Sequence, residues 1–127
     1  MSETLAIALM LIPQVEGWRG IDGDGGKSWG RFQISQICLD DVNRISGMNY
    51  TKADCYNDKF APRICIIYLT HYGTAERLRH EPTAQDLCRI WCGGPDGWKE
   101  KCTLAYWRKA RLYLYVAIAE IKARGKG

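Results

Sequence analysis

Residues 12 to 34 constrain this chain more than any other stretch: Ile-Pro-Gln-Val-Glu-Gly-Trp-Arg-Gly-Ile-Asp-Gly-Asp-Gly-Gly-Lys-Ser-Trp-Gly-Arg-Phe-Gln-Ile. An apolar segment runs into a lone glutamate, Glu16, and five glycines follow between Gly17 and Gly26. Leu5, Ala8, Leu9, Ile12 and Glu16 fall at i, i+3, i+4, i+7 and i+11 and so share one helical stripe. That spacing sends Glu16 out of the helix on its core-facing side. A carboxyl among aliphatic carbons loses solvation of its charged form, which raises its pKa and makes it a proton donor near neutral pH. The competing reading is an exposed helix-end glutamate paired with Arg19, and residue types alone do not choose between them.

With 127 residues the chain has the length of one domain and enough sequence to bury a core without staples. A hydrophobic share of 46% and a charged share of 25% place it among ordinary soluble globules. Its net charge of +4 is uneven. Residues 99 to 127 carry eight Lys/Arg against Glu100 and Glu120, a local +6, and the remainder sums to −2. A basic end attracts anionic polymers such as bacterial wall or nucleic acid, and charge alone does not select one.

Six cysteines (Cys38, Cys55, Cys65, Cys88, Cys92 and Cys102) allow fifteen pairings. An even count suits export, yet Leu5 to Ile12 makes a poor leader: Glu3 precedes it, no base does, and no small-residue cleavage site follows. Those eight residues fall short of a bilayer span of about 20. The expectation is cytoplasmic synthesis with reduced thiols, and disulfides only after release.

In chain order, Ser2 caps a first helix over roughly 3 to 18, which Pro13 could kink. Residues 19 to 34 read as loop, with a short hairpin ending at Phe32-Gln33-Ile34. Ser35 caps a helix to about Ile45, closed by Gly47. Thr51 starts a turn in the connection over 48 to 57. A helix over about 58 to 72, with Phe60, Ile64, Ile67 and Tyr68 on one face, ends at Gly73, and one short turn follows. Thr83 caps the next, whose stripe is Ala84, Leu87, Cys88 and Trp91; it stops at Gly93-Gly94-Pro95. The last runs from about Thr103 to Ala123, with Trp107, Ala110, Leu114, Ala117 and Ile121 inward. The predicted class is mainly α with little or no sheet.

Asp22-Gly-Asp24 hints at a calcium loop, but the hint fails. Counting from Asp22, positions 5, 6 and 12 are Gly26, Lys27 and Gln33, where an EF-hand needs an oxygen ligand, glycine and a bidentate glutamate. Cys88 and Cys92 at i and i+4 could hold zinc with Cys102 and a histidine, but no paired short-spacing signature supports it. No metal or cofactor is expected. Trp29, Phe32, Trp91, Trp98 and Tyr106 could each offer a flat face to a sugar ring, although aromatics more often serve a core.

Glu16, the Gly-rich connection and Gly30-Arg31-Phe32-Gln33-Ile34 together resemble the lysozyme superfamily, in particular goose-type and invertebrate-type lysozymes and soluble lytic transglycosylases. Two further matches follow in the family's order: Tyr68-Leu-x-x-Tyr72-Gly73, and Ile90-Trp-Cys-Gly-Gly-Pro followed by Tyr106. Cys92 stands where the family has asparagine, and the connection before Ser28 differs in length and lacks the invertebrate-type cysteines.

The resemblance implies a single lysozyme-like domain over residues 1 to 127 that cleaves β-1,4 bonds of peptidoglycan. Glu16 would be the general acid and Asp24 a base or electrostatic partner; Asp22 is the other nearby candidate for that second carboxylate, and ordinary Asp-Gly turn chemistry is the competing reading for both. Gln33, Tyr72, Gly93, Gly94 and Tyr106 would line the glycan cleft. It implies a monomer acting on wall glycan strands, with no nucleic-acid partner and no membrane insertion. The rivals are a lytic transglycosylase, a non-catalytic glycan-binding module, and a nucleic-acid binder using the basic last helix.

Overall fold

The computed structural model describes residues 1–125. Helix α1 (Glu3–Glu16) begins where the Ser2 hydroxyl accepts the Leu5 N–H at 3.1 Å. It passes unbroken through Pro13 and stops at Gly17, whose φ of 62° turns the chain left-handed while its N–H returns to the Pro13 carbonyl at 3.0 Å. The helix therefore ends two residues before the expected boundary, with Glu16 as its final residue. After α2 (Gly23–Gly26), a single turn whose Asp24 and Gly25 are left-handed, strands β1 (Ser28–Trp29) and β2 (Ile34–Ser35) pair antiparallel, Ser28 opposite Ser35 and Trp29 opposite Ile34.

Helix α3 (Gln36–Ser46) is capped by Ser35 and closed by Gly47, as predicted. A 3₁₀ turn, Lys52–Tyr56, follows Thr51, whose N–H donates to the Asp54 carboxylate at 2.8 Å. Then come α4 (Phe60–Tyr72), α5 (Ala75–Leu78) and α6 (Ala84–Gly93). Two short 3₁₀ turns, Gly97–Lys99 and Lys101–Thr103, lead into α7 (Leu104–Gly125). The chain is mainly α-helical, and its one sheet among the described residues is the two-stranded hairpin.

Helix α6 sits in the middle, packed by α1, α4 and α7. Its predicted stripe is too narrow for that position. Leu87, Cys88 and Ile90 are buried, and so are the charged Asp86 and Arg89. Both charges are satisfied locally: Asp86 accepts the Thr83 N–H at 3.0 Å and meets His80 Nε2 at 2.8 Å. Arg89 donates to Thr103 Oγ1 and to the Glu100 carbonyl, each at 2.8 Å. The buried arc of α4 (Ala61, Ile64, Cys65, Tyr68, Leu69) is likewise turned from the predicted face, because α1, α3 and α6 all cover it.

Helix α7 corrects its inward list. Only Ala110 is buried; Trp107, Leu114 and Ala117 are half-covered, and Ile121 is 67% exposed. The reason is length. At 1.5 Å per residue, the 22 residues of α7 reach about 33 Å, against about 21 Å for the 14 of α1 beneath it, so its last turns overhang.

All six cysteines are free thiols. Cys55, Cys65 and Cys88 are buried and act as small apolar side chains. Burial pushes the thiols of Cys38 and Cys88 up to about 12 and that of Cys55 to about 11.

Candidate active site

Glu16 owes its position to the helix end. The buried side chains of α1 are Ala8, Leu11, Ile12 and Val15, so the covered arc is rotated from the predicted stripe and Glu16 stands at its edge. The carboxylate is thus half-buried, backed by protein on one side and open to a cavity on the other. Tyr106, from the first turns of α7, donates its hydroxyl to Glu16 Oε2 at 2.7 Å. Lys109, one turn further, donates to the Val15 carbonyl at 3.1 Å and so holds α7 against the end of α1. Burial raises the Glu16 pKa; the Tyr106 hydroxyl and the Lys109 charge pull against this, and the charge of Asp24 adds to the rise. Burial also raises the pKa of Tyr106, reinforced by the Glu16 charge, so the phenol stays a proton donor to the carboxylate.

The cavity in front of Glu16 has a volume of about 370 Å³, and Asp24, Ser28, Gln33, Trp91 and Cys92 are among its walls. A second cavity, of about 400 Å³, adjoins it and shares Gln33, Ser35, Trp91 and Cys92. Its far end is formed by Asp41, Tyr68, Gly94 and Pro95. Each lies within the ~300–1,000 Å³ range of small-molecule sites, and together they make one cleft along the molecule. The Glu16 end is mostly polar. The far end is mostly apolar, with Tyr68 and Trp91 meeting edge to face at 5.6 Å between ring centres.

The Gly-rich loop is held in place by two side chains. Gln33, itself at φ 54°, accepts the Gly23 N–H through Oε1 at 2.9 Å and donates through Nε2 to the Gly30 carbonyl at 2.7 Å. Asp22 gathers the other donors: the Tyr56 hydroxyl at 2.6 Å, the Trp18 indole N–H at 3.3 Å and the Gly30 N–H at 3.4 Å. The Tyr56 hydrogen bond, followed by those from Gly30 and Trp18, outweighs burial and holds the Asp22 carboxyl below its usual range. Gly30 must be glycine: its φ is 74°, and a Cβ there would meet the Cys55 carbonyl oxygen at 2.1 Å. Asp24 sits at φ 53°, exposed, with Oδ2 accepting the Ser28 hydroxyl at 2.7 Å.

Five of the seven expected site residues, Glu16, Asp24, Gln33, Gly94 and Tyr106, line this cleft. Gly93 does not; its Cα faces Thr103, where a Cβ would meet Cγ2 at 2.5 Å. Tyr72 stands behind the wall, donating its hydroxyl to Asp41, while Tyr68, one turn earlier on α4, reaches the cleft. Burial raises the Asp41 carboxyl, but the hydrogen bonds from Tyr72 and Arg44 overcome it and keep the group low. Of the five candidate aromatic platforms, Trp91 and Tyr106 line the cleft; Trp29 and Phe32 are core, and Trp98 packs against that core away from the cleft.

Sequence reasoning missed Tyr68, Asp41 and the loop role of Asp22. Tyr68 had a signal, being four residues before Tyr72 on the same helical face. No group of three His, Cys, Asp or Glu among the described residues is placed to hold a metal ion. Comparison of the chain with models of known protein families and with curated proteins finds no match.

Proposed function

We propose that the cleft binds a β-1,4-linked glycan of bacterial peptidoglycan and that Glu16 protonates the glycosidic oxygen as the sugar–oxygen bond breaks. The observation that carries this reading is the half-buried carboxyl at the end of α1, its pKa raised by burial, facing an elongated cleft with Asp24 in the opposite loop. A general acid needs a carboxyl biased toward its protonated form and a clear path to the leaving oxygen; burial supports the first for Glu16 and the cavity in front of it the second. Tyr106 fixes which carboxylate oxygen is engaged by protein and leaves the other for substrate. In a hydrolase, Asp24 would steady the cationic ring or position the attacking water. Trp91 supplies an apolar face where the two cavities meet, suited to the non-polar side of a sugar ring. The likeness to the lysozyme superfamily in Glu16, Gly30 to Ile34 and Gly93-Gly94-Pro95 supports the same class.

The test is loss of turbidity of purified cell walls, wild type beside Glu16→Gln. Lysis by the wild type that Glu16→Gln lacks is the expected result, and equal rates would end the proposal. Wall pull-down without any loss of turbidity would mean a glycan-binding module.

One observation favours a lytic transglycosylase as the second reading. Asp24 Oδ2 is already engaged by Ser28, so the aspartate has a role in the loop whether or not it meets water. A transglycosylase keeps the acid but lets the sugar's own hydroxyl close an anhydro ring. Mass spectrometry separates the two, since transglycosylase products are lighter by one water.

A further inference from the structure

The face of α7 that points away from the core carries a second apolar stripe. Leu112, Tyr115, Val116 and Ala119 fall at i, i+3, i+4 and i+7, roughly opposite the buried Ala110. Leu112 is 62% exposed and Tyr115 and Val116 are each 56% exposed, far more than large apolar side chains keep when a neighbour covers them. Arg108 and Lys122 extend the same stripe at either end and Arg111 flanks it; all three are exposed. No ion pair among the described residues engages any of them. Glu120 is the single acid on the helix.

We infer that this face is a docking surface for an anionic lipid bilayer, with α7 lying in the headgroup layer, its Leu112–Val116 stripe toward the acyl chains and Arg108, Arg111 and Lys122 on lipid phosphates. The combination selects the occupant. A stripe of aliphatic and tyrosine side chains bordered by bases is what an interfacial helix presents: the apolar side chains enter the headgroup–acyl boundary, and the long basic ones reach back to the anions. A second copy of the chain fits poorly, because a two-fold contact would bring the same bases together with only Glu120 to offset them. An anionic wall polymer or nucleic acid would engage the bases and leave Leu112 and Val116 in water. The surface lies on a bilayer and does not cross one; no described helix is long and apolar enough for that. This inference does not depend on the reading of the cleft, since the stripe shares no residue with it.

The experiment is flotation of the whole protein with vesicles of equal parts phosphatidylglycerol and phosphatidylcholine, beside vesicles of phosphatidylcholine alone. Co-flotation with the anionic vesicles at low salt, much weaker with the neutral ones, is expected. Leu112→Ser with Val116→Ser should weaken it at least about tenfold, since each loses apolar surface that would enter the lipid. Each of Arg108→Glu and Lys122→Glu should weaken it about fivefold or more. These side chains are exposed, so the variants should melt with the wild type, which separates lost docking from lost folding. No flotation with anionic vesicles, equal flotation with neutral ones, or flotation unchanged by Leu112→Ser with Val116→Ser would overturn the inference. So would a dimer in sedimentation velocity that the same double variant dissolves, because the stripe would then be covered by a second copy.

Discussion

Glu16 is the residue on which both the chemistry and a distinctive stability signature meet. Glu16→Gln keeps the shape and the acceptor for Tyr106 but removes the transferable proton, so wall lysis should fall about 100-fold or more. The same substitution should stabilise the fold. Burial raises the folded-state pKa above the unfolded value, so ionising Glu16 at neutral pH costs folding free energy. The cost is absent below the unfolded pKa and grows as pH rises through the folded one. Thermal melts should show Glu16→Gln above wild type at neutral pH, with the gap closing in acid; a constant gap would mean burial does not act through ionisation. The two loop aspartates part ways as well. Asp24→Asn keeps a residue suited to φ 53° and should cost rate with little change in Tm if Asp24 meets water or the cation. Asp22→Asn loses charge-assisted bonds from Tyr56, Trp18 and Gly30, so it should lower Tm more than Asp24→Asn does.

At the scale of elements, the Gly-rich loop is a built part whose tolerance differs sharply from glycine to glycine. Gly30→Ala drives a methyl into the Cys55 carbonyl at a left-handed position and should destabilise by at least about 2 kcal/mol. Gly25→Ala, at φ 66° with nothing within 4 Å, meets only the backbone penalty of about 1 kcal/mol. Urea unfolding of the two variants measures the difference, and equal midpoints would mean the loop gives way at Gly30. The hairpin and the capped helices were legible because their signals are local: Ser2, Ser35, Thr83 and Gly47 stop or start a helix within a few residues, whereas the stop at Gly17 came two residues before the expected boundary. The faces of α4, α6 and α7 were not, because the period of a helix says that it has an inner side but not how many neighbours surround it.

For the molecule as a whole, thiol labelling should divide the cysteines by place. Cys92 and Cys102 are exposed and should react with a maleimide in the native protein, whereas Cys55, Cys65 and Cys88 should react only after unfolding. A bulky label on Cys92 should block lysis, since that residue borders both halves of the cleft, while Cys92→Ser should retain it. All six thiols should label in denaturant without reductant, since each is free in the structure, and fewer than six would show a pairing. The basic end acts over the same scale. Reversing Lys122 and Arg124, with Lys126 (which lies outside the described residues), should weaken wall binding more at low salt than at high, because screened charge carries the attraction. Equal loss at both ionic strengths would show that packing, not charge, is at work.

Local patterns alone were enough for the mainly helical class, for most helix caps, and for the arrival of a lone carboxyl near the end of an apolar helix beside a Gly-rich loop. Each depends on residues a few positions apart, whose backbone preferences and spacing act before any distant part of the chain arrives. The packing of distant segments set the rest: Tyr106, 90 residues on, holds Glu16, Tyr68 and not Tyr72 reaches the cleft, and Asp22 anchors the loop through Tyr56. It also decided that α7 would outrun the core and leave an apolar stripe in water. These outcomes depend on which helices cover which arcs and where each helix ends relative to its neighbours, and no local pattern carries that information.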